Sequence, residues 1–76
     1  MNVMLRTSTG AQIDVSRERD LFHLWRVDYQ REPQTCWGED LFEVIAELAQ
    51  LDLDDDTQAA EAIGLAEQAL RRLRAE

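Results

Sequence analysis

Few residues of this chain are equipped for covalent or metal chemistry. Cys36 is its one cysteine and His23 its one histidine; as a pair they would be a thiol nucleophile and its base. No glycine-rich oxyanion loop accompanies them, and Gly10, Gly38 and Gly64 are scattered, so no phosphate-cradling loop is formed. Two such ligands also fall short of the about four that a zinc centre uses. Cys36 is therefore expected to be a core or edge thiol and His23 a hydrogen-bonded sheet residue. Asp52-x-Asp54-x-Asp56 imitates the opening of a calcium loop. That motif continues with Gly and Glu where this chain has Thr57 and Ile63. The run reads instead as a helix start with Asp55 or Asp56 near the cap. Carboxylates without a cleft do not signal acid–base catalysis, so the expectation is no enzyme, no cofactor and no metal.

The carboxylates carry more information through their distribution. The chain has 76 residues, a net charge of -8 and a pI near 4.4. Residues 1–31 hold five arginines (6, 17, 19, 26, 31) against four acids (14, 18, 20, 28). Residues 32–70 hold eleven acids and no basic residue, and residues 71–76 hold three arginines and one glutamate. The negative charge thus falls on the back half. There Glu39, Glu43 and Glu47 recur at i, i+4, i+8, with Asp40 beside them. Like charges at that spacing cost a helix about 0.2–0.5 kcal/mol per pair. First-turn acids offset the helix dipole, which accounts for Glu39 and Asp40, and for Asp54, Asp55 and Asp56 before the next helix. It leaves Glu43 and Glu47 unexplained. Glu67 and Arg71 are spaced for an i, i+4 ion pair.

The elements that must position these residues follow from periodicity. Val3 and Leu5, then Ile13 and Val15, alternate with polar residues around Thr7-Ser8-Thr9-Gly10-Ala11, the pattern of a hairpin. Residues 16–20 read as a charged connection. Leu21–Gln30 has period two and is dense in aromatic and β-branched residues, which predicts a third strand; a helix beginning at Ser16 competes. Trp25 and Tyr29 share a face of that strand and are expected to pack in the core. Pro33 breaks the chain. Thr35-Cys36-Trp37 is a short strand or a lead-in, and Gly38 permits a change of direction. Leu41, Val44, Ile45 and Leu48 then recur as a helical stripe over residues 39–51, widened by Phe42. Ala59, Ala62, Ile63, Ala66, Leu70 and Leu73 make a second stripe after Thr57. Gly64 sits inside it, at a cost of about 1 kcal/mol relative to Ala that close packing would justify.

The predicted fold is a single α+β domain over residues 1–76. Residues 1–31 form a hairpin plus a third strand. Residues 38–76 form two antiparallel acidic helices packed on one face of a small antiparallel sheet of about three strands. The N-terminal residues are too polar for a secretory leader, no run of about 20 apolar residues suits a membrane span, and a lone cysteine fits a reducing cytoplasm.

Such a charge balance disfavours direct contact with nucleic acid or anionic membranes and suits a basic protein surface. Glu39, Asp40, Glu43, Glu47, Asp52, Asp54, Asp55 and Asp56 are the candidate docking residues, with Trp37 beside Gly38 as a partly exposed anchor. Carboxylates along a helix can imitate the phosphates that arginine and lysine clusters recognise. In size and charge the chain resembles phage-encoded anti-defence proteins, including anti-CRISPR inhibitors. That resemblance implies an inhibitor acting in the host cytoplasm on a nucleic-acid-binding complex. In outline, a sheet followed by Gly38-Glu39-Asp40 and a helix also resembles small antitoxin domains. This second resemblance implies a regulatory module that dimerises through the Ala-rich helix, Ala59 to Leu73.

Overall fold

The computed structural model describes residues 2–28 and 33–74. Four antiparallel strands, β1 (Asn2–Arg6), β2 (Gln12–Glu18), β3 (Leu21–Arg26) and β4 (Gln34–Trp37), lie side by side in chain order. A 3-10 turn over Gly38–Asp40 leads into α1 (Leu41–Ala49), and α2 (Asp56–Arg74) follows. The architecture is the expected α+β fold, with β4 as a fourth strand.

The pairing register sorts the side chains. Val3 lies opposite Val15 and Leu5 opposite Ile13; Val15 lies opposite Leu24, and Phe22 opposite Cys36. Paired residues share a face, so all of these line one side of the sheet, and all are buried. Both helices cover that side: α1 packs on β2, β3 and β4, and α2 on β1, β2 and α1. The helix that competed for residues 16 onward does not form, because period-two alternation lets Phe22 and Leu24 join this layer. The charged stretch 16–20 is not all connection. β2 continues to Glu18, and only Arg19 and Asp20 turn the chain, Arg19 in the left-handed region at φ 59. The third strand ends at Arg26, with Val27 and Asp28 in a turn; Tyr29 and Gln30 lie outside the described residues.

Four contacts fasten the helices to the sheet. The β1–β2 turn closes with Gly10 at φ 89 and with the Thr7 N–H donating to the Ala11 carbonyl at 3.0 Å. From this turn the Ser8 N–H and hydroxyl both donate to the Glu61 carboxylate of α2 at 3.0 Å. The Thr9 hydroxyl reaches the Ala49 carbonyl at the end of α1 at 3.5 Å, and Arg26 Nη1 donates to the Leu48 carbonyl at 2.9 Å. The Leu51 and Gln50 N–H groups serve the Ala46 and Glu47 carbonyls, with Gln50 left-handed at φ 59. The last four carbonyls of α1, orphaned in any isolated helix, therefore all have partners. A nine-residue helix needs this, since one so short is marginal in water.

The second stripe differs from its prediction. Ala62, Leu65, Ala66, Ala69 and Leu73 are the buried residues of α2, whereas Ile63 is 48% exposed and Leu70 only packs against the core's edge. Ile63 stands about 100° around the helix from Ala62 and so faces water. Gly64 is exposed, and nothing lies within 4 Å of where its Cβ would sit. Close packing is not its reason. At Gly38, by contrast, a Cβ would stand 3.2 Å from the Phe22 ring.

Candidate functional site

Cys36 and His23 lie on opposite faces of the sheet. Cys36 pairs with Phe22 on the covered face and is buried; His23 pairs with Thr35 on the open face. They cannot act as a nucleophile and its base. Burial, together with the nearby Asp40 carboxylate, pushes the Cys36 thiol above its ordinary range. His23 Nδ1 lies 3.4 Å from the Thr35 hydroxyl and its Nε2 3.6 Å from Glu18 Oε2.

The aspartate run builds a helix start. Asp52 Oδ1 accepts the Asp54 N–H at 2.9 Å, and Asp55 Oδ1 accepts the Thr57 and Gln58 N–H groups at 2.9 and 3.1 Å. Asp55 is thereby the cap of α2, and Gln58 Oε1 accepts the Asp52 N–H at 2.8 Å in return. No group of three or more His, Cys, Asp or Glu suited to a metal ion occurs among the described residues.

The remaining candidate carboxylates divide by location. Glu43 and Glu47 are one turn apart and exposed on the outer side of α1, away from buried Leu41, Ile45 and Leu48. Glu39 and Asp40 belong to the preceding 3-10 turn, so α-helical spacing does not carry the row back through them. Among the described residues, none of Glu39, Glu43, Glu47, Asp54 and Asp56 has a side-chain hydrogen bond or ion pair. The Glu67–Arg71 pair expected on α2 is likewise not closed; both residues instead line a shallow concavity with Leu70 and Arg74.

Among the described residues, the guanidinium that finds a carboxylate is that of Arg26. It turns toward the core layer and is 9% exposed. Its Nε and Nη2 donate to the two oxygens of Asp28 at 3.0 Å each. These hydrogen bonds hold the Asp28 carboxyl below the usual carboxylate range.

The open face carries Trp37, which the sequence marked as a partly exposed anchor, together with residues it did not mark as exposed. Trp25 is 48% exposed and Trp37 55% exposed; Met4 is also exposed, with Leu21 and His23 half-buried. Trp25 was expected in the core. It is outside because Phe22 and Leu24 occupy the covered face, and neighbours along a strand point oppositely. That parity was the available signal. In register, Leu21 stands between Glu18 and Trp37, His23 between Ser16 and Thr35, and Trp25 beside Asp14, which faces Met4. Where the β2–β3 turn meets the end of β4, a concavity of about 440 Å³ opens, lined by Glu18, Arg19, Asp20, Leu21, His23 and Trp37. Trp37 thus links this pocket to the acidic turn at Glu39 and Asp40.

No helix among the described residues is long and apolar enough to cross a membrane. Comparison of the chain with protein-family models, curated proteins and solved structures finds no match.

Proposed function

We propose that this protein is a non-catalytic binding module that docks its acidic helical side on a basic surface of a protein partner, as an inhibitor occupying a nucleic-acid-binding groove would. One observation carries the reading: Glu43 and Glu47 stand exposed and unpaired on α1 among the described residues, although like charges so spaced cost the helix stability. Asp52 and Asp55 serve the α1–α2 connection and add charge without being free to reorient. Glu39, Asp40, Asp54 and Asp56 extend the field on either side. The alternative, dimerisation through the Ala-rich helix, has less support, because Ala62, Ala66 and Ala69 are already buried in the chain's own core.

The test is capture of a partner from the source cell by immobilised wild-type protein and by the Glu43→Arg/Glu47→Arg variant. The expected partner is basic, is held at low salt and released at high salt, and is lost by the double variant with an unchanged circular-dichroism spectrum and melting curve. Undiminished capture by the folded variant would overturn the reading.

A further inference from the structure

We propose that the concavity at the β2–β3 turn receives an arginine side chain presented by a protein partner, with the Trp37 indole as its stacking surface and Glu18 and Asp20 as its counter-charges. The inference rests on the reading of a basic partner for the identity of the occupant. The pocket's own chemistry is separate from α1.

Trp37 is the strongest reason. It is the last residue of β4, placed opposite Leu21, and 55% of it meets water. A strand-held indole loses little entropy on binding, and tryptophan is the best aromatic partner for a cation. A guanidinium is planar, weakly hydrated and stacks on such rings, so arginine suits the site better than lysine. The pocket volume of about 440 Å³ lies within the range of small-ligand clefts.

Charge selects the same guest. Glu18 and Asp20 line the pocket on either side of Arg19 in sequence. The turn that carries them is braced, because Arg17 Nε donates to the Arg19 carbonyl at 2.7 Å. His23 forms a wall, and its Nε2 lies 3.6 Å from the exposed Glu18 carboxylate. Arg19 itself lines the site and opposes a cationic guest, which gives the proposal a sign that can be checked. Trp25 is an internal control: it is equally exposed on the same face but does not line the concavity.

The experiment titrates the intact ¹⁵N-labelled chain with N-acetyl-arginine amide, and separately with the uncharged isostere N-acetyl-citrulline amide. It follows the two indole N–H resonances, assigned with Trp37→Phe. A saturable shift of Trp37 with the arginine probe alone, with Trp25 still, is expected. Glu18→Gln should weaken that binding by about two- to fivefold, the upper range for an exposed ion pair, and Arg19→Ala should strengthen it. Absence of a saturable shift, an equal response to citrulline, or both indoles moving together would overturn the proposal. The same titration on Glu43→Arg/Glu47→Arg separates the two ideas. A variant that takes the probe normally yet loses its partner leaves both standing. A silent pocket beside a partner that still depends on α1 removes the pocket alone. A working pocket beside partner capture indifferent to α1 removes the α1 reading alone.

Discussion

The covered and open faces of the sheet use apolar residues in opposite ways. Beneath the helices lie Val3, Leu5, Ile13, Val15, Leu24 and a single aromatic ring, Phe22, each at most 4% exposed. Above lie the two tryptophans, each about half in water. The largest hydrophobic groups are therefore withheld from the core, where they would contribute most to folding. Charge is divided in the same manner. On the covered side Arg26 is tied to Asp28 and to the Leu48 carbonyl, whereas on the outside of α1 Glu43 and Glu47 are unpaired among the described residues.

The largest contrast is expected between adjacent residues of β3. Leu24→Ala should cost about 2–5 kcal/mol in denaturant unfolding. Trp25→Ala, although it removes more atoms, should cost less than about 1 kcal/mol. Equal losses would mean that the open face is covered in the free protein.

Arg26 comes next. Arg26→Ala removes a buried donor from the Leu48 carbonyl and should cost about 2 kcal/mol. Its bond to Asp28 also fixes a pH dependence. The folded Asp28 carboxyl titrates below its unfolded value, so its contribution is complete above the unfolded pKa and is lost as pH falls through the folded one. Acid titrations monitored by melting temperature should show a shallower acid limb in Asp28→Asn than in wild type. An identical acid limb would show that the bond does not persist in solution.

The smallest effect lies on α2, where exposed Gly64 has open space for a methyl group. Gly64→Ala should stabilise by about 0.5–1 kcal/mol, read as a rise in melting temperature. A fall would show that this part of the helix is in contact with something.

Much of the fold is legible in residue order. Alternation around Thr7–Ala11 marks the hairpin, and the i, i+3, i+4, i+7 spacing from Leu41 marks α1, because a buried face must recur with the period of its backbone. Glu43 and Glu47 are legible as outward-facing for the same reason. Boundaries at 16–20 were misread because charged residues are as compatible with a strand end as with a loop. Trp25 was misplaced because residue type was weighed above strand parity. Gly64 was credited with close packing because a one-dimensional stripe does not show what faces it.

Local periodicity and composition alone are enough to require a sheet, two helices and a negatively charged back half, since each depends on residues a few positions apart. Which face of β3 the helices would cover, that Arg26 would turn inward to α1, and that Trp37 would line one concavity with Glu18 and Asp20 are set by packing. Those contacts join residues distant in the chain, and burial of the one continuous apolar surface chooses among the arrangements that local preference permits.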